Sequence, residues 1–203
     1  MDEETDASTP WEDLSVDKLA QHIVTHHHSY LRRELLALGP LAAWVKTVHR
    51  PRHVELNEVE ALVLDLRRDL DAHLDREEQL VADLLGAAPP TVGSPTAALA
   101  LMTYEHERTD ALLDTLRQVT ADYEVPADAD DSYRDLYARL DHLDRDTRLH
   151  TEKEDRRLFP LIVERISEVT EVFERERSFR AVSDAISKDA GVADVSGYTD
   201  YGR

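Results

Sequence analysis

The chain contains no cysteine. That absence excludes disulfides, Cys-ligated zinc, thiolate-ligated iron–sulfur clusters and thiol nucleophiles. Glycine is scarce, at 6 residues in 203, while Ala, Leu, Arg, Asp and Glu dominate, a balance that favours helices over strands. No apolar run approaches the ~20 residues that span a bilayer. The opening Met-Asp-Glu-Glu-Thr-Asp is acidic, unlike a secretory signal, so a cytoplasmic protein is expected. Positive charge is in short supply: the formal net charge is −19. Such a field repels nucleic acid and anionic membrane, and neither is expected as a partner. Lysine is scarcer still, with four among 24 basic residues. An acidic, Lys-poor surface suits a high-salt cytoplasm, and a GC-rich genome also favours Arg over Lys.

What the chain does have is heptad rhythm. Residues 1–13 lack periodicity and read as a flexible acidic arm. Ser15 or Asp17 is a plausible cap for a first helix whose seam is Val24, His28, Leu31, Leu35, Leu38, Ala42 and Val45. Gly39-Pro40 is expected to kink it, and it should end near His49-Arg50-Pro51. A second helix from about Glu55 to Leu85 carries Val59, Val63, Leu66, Leu70, His73, Glu77, Leu80 and Leu84, stopped by Gly86 and Pro89-Pro90. A third runs from about Thr96 to Tyr123 with Leu99, Met102, His106, Thr109, Leu113 and Leu116 inward. After Pro126, Ser132 is a fair cap for a fourth, carrying Leu136, Leu140, Leu143, Thr147, His150 and Glu154. A one-residue slip then brings in Leu158 and Leu161, and Pro160 bends or ends the helix. Four helices with one seam each and short connections predict an all-α, up-down-up-down four-helix bundle over residues 14–163. An additional C-terminal helix at 164–190 should cap the bundle or form a homodimer seam, and 191–203 reads as a disordered tail.

The seams convert pattern into chemistry. His28, His73, Glu77, His106, His150 and Glu154 all occupy inward positions, and burying ionisable groups costs several kcal/mol unless they are paired or bind a metal. His73 to Glu77 and His150 to Glu154 are each four apart, so each pair shares one helix face. With turns near residues 51 and 129, His28 lies about as far before the first turn as His73 lies after it. His106 and His150 straddle the second turn in the same way, so all six groups fall on one layer of an antiparallel bundle. Four imidazoles and two carboxylates suit a pair of iron ions, with manganese the alternative. The glutamates would bridge, each ion would take two imidazoles, and positions would remain for water, an oxo or hydroxo bridge, dioxygen or nitric oxide.

The segments His22-Ile-Val-Thr-His-His-His28, Val48-His49, His73-Leu-Asp-Arg-Glu-Glu-Gln79, Met102-Thr-Tyr-Glu-His106, Tyr133-Arg-Asp-Leu-Tyr137 and His150-Thr-Glu-Lys-Glu154 with Leu158-Phe-Pro160 resemble the hemerythrin-like HHE domain. The likeness is strongest to its di-iron members that repair damaged iron–sulfur centres, and it covers roughly residues 17–163. It implies a non-haem di-iron centre with Glu77 and Glu154 as bridges and His28, His73, His106 and His150 as terminal ligands. It also implies a role in nitrosative or oxidative stress response or iron–sulfur centre repair, with apo iron–sulfur proteins as partners. The alternative is dioxygen or nitric oxide binding or sensing without turnover. A metal-free acidic bundle acting as an adaptor is a third reading, and the chain would be a monomer or homodimer. The sequence departs from the pattern in having no Cys-containing N-terminal domain, in Leu80-Val-Ala-Asp-Leu84 after the second motif, in Glu152 where a second His is common, and in Asp110 four residues after His106.

Other polar residues carry expectations of their own. A continuous helix separates His49 from His28 by about 31 Å at ~1.5 Å per residue, so His49 should serve a turn or cap. His22, His26 and His27 lie off the seam and some of them read as surface groups, with His26 the register-slip alternative for His28. Asp110 reads as an exposed helix acid. Glu105 and Glu107 could accept the second N–H of a ligand histidine, Glu78 could gate a channel, and Tyr30, Tyr104 and Tyr137 could tune the site, though buried hydrogen-bonded hydroxyls are the ordinary reading.

Overall fold

A computed structural model of the chain describes residues 10–85 and 94–189. The expected helix stop at Gly86 and Pro89-Pro90, most of the linker, most of the N-terminal arm and the C-terminal tail lie outside the described residues. Among the described residues every regular element is helical: α1 (Val16–His22), α2 (Ser29–His49), α3 (Leu56–Leu85), α4 (Pro95–Val119), α5 (Asp131–Lys153) and α6 (Phe159–Asp189), with a short 3₁₀ turn at Trp11–Asp13. None of these helices is long and apolar enough to cross a membrane. The fold is the all-α bundle expected from the heptads.

Ion pairs between neighbours give the order and direction. Arg32 near the start of α2 reaches Asp75 late in α3, while Lys46 near the end of α2 reaches Glu60 early in α3. Asp69 with Arg108 and Arg76 with Glu105 set α3 against α4, Asp144 with Arg117 and Arg148 with Asp110 set α5 against α4, and Glu34 with Arg139 and Tyr30 with His142 set α2 against α5. Each pair runs antiparallel, so α2, α3, α4 and α5 form a closed square. Leu31, Leu35, Leu38, Val45, Val59, Val63, Leu66, Leu70, Leu113, Leu116, Leu136, Leu140 and Leu143 fill its interior. Leu80, Met102, Leu158 and Ile162 are buried beyond the site layer.

Two turns interrupt the heptads. Ile23–His28 is a π-helical turn between α1 and α2, in which the Ser29 N–H reaches the Val24 carbonyl five residues back. The extra residue rotates everything before it, so Ile23 is fully buried and the expected seam residue Val24 is half-exposed. Glu154–Leu158 is a second π-helical turn, and it is the physical form of the one-residue slip. It carries Leu158, Phe159 and Ile162 inward while Leu161 is half-buried. Pro160 does not end the helix: it follows the widened turn directly, where a proline sacrifices little backbone bonding, and α6 runs on to Asp189.

Caps also depart from expectation. Asp130, not Ser132, caps α5: its side chain accepts from the Tyr133 N–H at 3.0 Å, and Ser132 donates its hydroxyl to the same Asp130 oxygen. Asp130 sits one residue before the helix with extended backbone, the geometry a cap needs. Helix α4 stops at Val119 rather than Tyr123, because Ala121, Asp122 and Tyr123 take left-handed backbone angles (φ 49°, 60° and 62°). Helix α2 continues through Pro40 to His49. The chain divides into two compact units, one ending at Val163 and one beginning at Glu164. In the second, α6 exposes Val172 and Phe179.

Candidate metal centre

The six seam residues meet. His28 comes from the first π-helical turn, His73 and Glu77 from α3, His106 from α4, His150 from α5 and Glu154 from the first position of the second π-helical turn. Each is at most 4% exposed. Nε2 of His28 faces Nε2 of His150 at 3.0 Å, and Nε2 of His73 faces Nε2 of His106 at 3.2 Å. Glu154 lies between the two pairs, with Oε1 against His150 and 3.6 Å from His28, and Oε2 3.1 Å from His106. Glu77 Oε2 is 3.4 Å from His28 Nε2, 3.7 Å from His73 Nε2 and 3.9 Å from His150 Nε2. Two groups result, His28–Glu77–His150–Glu154 and His73–His106–Glu154, each with its donor atoms within 4.8 Å of one another. Glu154 belongs to both.

The outer nitrogens decide what the inner ones offer. His28 Nδ1 donates to Glu78 Oε1, His73 Nδ1 to Glu105 Oε2 and His106 Nδ1 to Asp155 Oδ1, each at 3.0 Å. These carboxylates hold the proton on Nδ1 and leave Nε2 as a lone pair turned inward. Two lone pairs facing at about 3 Å repel unless a cation sits between them. Meanwhile Glu77 Oε2 and both oxygens of Glu154 are buried with no hydrogen-bond partner, a costly state for carboxylate oxygens. The residues therefore fit a metal: nitrogen and oxygen donors, inward lone pairs, orphaned carboxylate oxygens. The spacings agree as well, since donors ~2.1 Å from one ion and at right angles to each other lie ~3 Å apart.

In the metal-free state protons fill that role. Burial opposes charging His28, but Glu154 and Glu77 outweigh it and raise its pKa to about 10. Burial likewise opposes charging His106, and Asp155 and Glu154 raise it to about 10. Burial, reinforced by His106, lowers His73 to about 4. Glu77 is pushed up by burial and by the Glu154 charge, whereas the surrounding histidines hold Glu154 well below the usual carboxylate range against the cost of its burial. One proton per facing pair is the smallest cation that separates the lone pairs.

The remaining polar residues fall as follows. His49 is buried outside the cluster, 3.1 Å from Asp130 at the start of α5. Asp110 pairs with Arg148. Glu78 is the acceptor for His28 and for Arg32. Glu105 is the acceptor for His73, Tyr104 is exposed, Tyr30 contacts His142, and Tyr137 packs on Tyr133 beyond the site layer. His27 is not a surface group: it is 5% exposed, donates Nδ1 to Asp146 Oδ1 and lies 2.8 Å from the buried Lys153 amine, which also lies 3.0 Å from His22. The π-helical turn that ends on His28 is what carries His27 inward. Asp155, Asp146 and Lys153 escaped the seam reading because heptads report which residues point inward, not which border an inward ring. The signal available was adjacency: Lys153 and Asp155 flank Glu154.

The family described as "Hemerythrin HHE cation binding domain" matches residues 19–162, and again residues 97–186. The "Iron-sulfur cluster repair protein ScdA" of Staphylococcus epidermidis is 27% identical over 150 residues, covering 72% of this chain and 66% of that protein. The "Iron-sulfur cluster repair protein YtfE" of Edwardsiella ictaluri is 29% identical, covering 79% and 72%. The "Iron-sulfur cluster repair protein DnrN" of Neisseria gonorrhoeae is 28% identical, covering 76% and 96%. The chain thus spans about two thirds of the first relative and nearly all of the last. With the family's match extending over most of the chain and over the whole layer of six donors, the protein belongs to the hemerythrin HHE cation-binding domain family.

Proposed function

We propose that the six donors hold two metal ions, iron first with manganese the alternative, and that the protein acts in nitrosative or oxidative stress response or iron–sulfur centre repair. Glu154 carries the two-ion reading, because its two oxygens divide between two separate histidine pairs. His28 and His150 would hold one ion and His73 and His106 the other, with Glu77 and Glu154 as the carboxylates within reach of both pairs. When bound, two irons supply one-electron redox chemistry and coordination positions that six protein donors leave open. The protein's own contribution is preorganisation. Glu78, Glu105 and Asp155 fix the tautomers, Phe159 stacks on His106 at 5.6 Å between ring centroids, and burial keeps bulk water from the layer.

The repair role draws on the relatives' names together with the donor set, and it makes apo iron–sulfur proteins the partners in a cytoplasmic setting. With no Cys in the chain, thiol help in handling a cluster must come from the partner. Dioxygen or nitric oxide binding without turnover is the second reading, favoured by the open positions. The optical spectrum of the iron-loaded protein with dioxygen or nitric oxide separates the two. Iron transfer to an apo iron–sulfur protein, or rapid oxidation with peroxide consumption, supports repair. A stable, reversible adduct with no transfer overturns it in favour of binding.

A further inference from the structure

Surface helices place charge on the face turned away from the core. Helix α2 does not. Residues 35–45, Leu-Leu-Ala-Leu-Gly-Pro-Leu-Ala-Ala-Trp-Val, contain no ionisable side chain, and the indole N–H of Trp44 is their one polar side-chain group. Their inward half packs the core, but Leu36 is 58% and Trp44 60% exposed, and Ala37, Pro40 and Val48 lie on the same outer face. Leu64 of α3, half-exposed, extends the strip beside Gly39. A contiguous apolar strip with a polar rim marks an interaction surface.

We propose that this face of α2 is a self-association surface whose occupant is α2 of a second copy. Electrostatics selects the occupant. Two molecules of formal charge −19 repel across most of their surfaces. Residues 14–54 are the exception, with six Lys or Arg against two Asp or Glu. Within α2 the contact sets no carboxylate against a carboxylate, since Glu34 falls level with Lys46 of the mate, and it desolvates no charge from the 35–45 stretch. The strip is also self-complementary. In a two-fold contact, residues equidistant from the axis meet. With the axis at Pro40, bulky Trp44 comes level with Leu36, Ala37 with Ala43, and Arg33 with Thr47 of the mate. One helix face and one side chain of α3 fall below the ~800 Å² per partner of a stable interface, so the dimer is weak and concentration-dependent.

Sedimentation equilibrium of the full chain, over a range of protein concentration and from about 0.05 to 0.5 M salt, tests this. Screening shortens the reach of the net charge, so dimerisation should strengthen as salt rises, the reverse of an interface built on ion pairs. Trp44→Glu should weaken association at least tenfold, with helical circular dichroism and metal content unchanged because the side chain is exposed. Phe179→Glu, on the exposed face of α6, should leave it intact. A monomer under all conditions overturns the proposal and leaves the strip to a different partner. Association that Trp44→Glu spares, or that Phe179→Glu removes, assigns the contact elsewhere and overturns it equally.

Discussion

Replacing Glu154 with Gln keeps the volume and removes one charge, so no cavity term enters. Glu154 is fully buried and touches His28, His106 and His150. In the metal-free protein at neutral pH, His28 and His106 are both protonated, with pKa values near 10, and Glu154 is the carboxylate they share. Stripping one partner from a buried ion pair costs about 3–5 kcal/mol. For a domain of roughly 150–250 residues each kcal/mol moves Tm by about 2–4 °C, so Glu154→Gln should melt about 6–20 °C below the parent in a metal-free scan at pH 7. The sign with pH follows from the raised values: the stabilisation from His28 and His106 is complete below their unfolded pKa near 6.5 and is lost as pH rises through about 10. The gap between parent and variant should narrow over that upper range. Calorimetry across pH reads the gap, and metal analysis after iron loading reads the site. A metal-free Tm within about 2 °C of the parent refutes the shared-carboxylate reasoning, and two metals retained per chain refutes Glu154 as the link between ions.

Metal loading at pH 7 should release the protons of His28 and His106, together with any held by Glu77, which burial pushes up, while His73, lowered to about 4, contributes none. Apparent affinity should rise with pH toward 10, and calorimetric titration in buffers of different ionisation enthalpy measures both. Asp155→Asn, which disturbs the acceptor for His106 Nδ1, should lower metal affinity about 10- to 100-fold with the fold intact, and an unchanged affinity would argue against the tautomer-fixing role. Ala121→Gly relieves a left-handed backbone (φ 49°) and should stabilise the protein by about 0.5–1 kcal/mol, read as a small rise in denaturation midpoint.

The layer of six donors was legible because it follows from one periodicity. His28, His73, His106 and His150 recur in step with Leu31, Leu70, Leu113 and Leu143, and antiparallel hairpins with turns near 51 and 129 level them. The π-helical turns were not legible. A single extra residue changes no composition, yet it buries Ile23 and His27 in place of Val24. The second turn announced itself only as a break in register after Glu154. Partners that depend on rotation about a helix axis were hidden for the same reason: Asp155 against His106, Asp146 against His27, and Asp144 holding Arg117, Arg148 and Tyr123 together. The cap at Asp130 was misplaced by two residues because Asp130 and Ser132 both favour that position, and only backbone geometry chooses between them.

The central claim is a two-ion centre with Glu154 shared between two histidine pairs. Metal content of the iron-loaded chain, measured after removal of loosely held metal, tests it most directly. Two irons per chain are expected, falling in Glu154→Gln. One iron per chain or fewer after loading would contradict it.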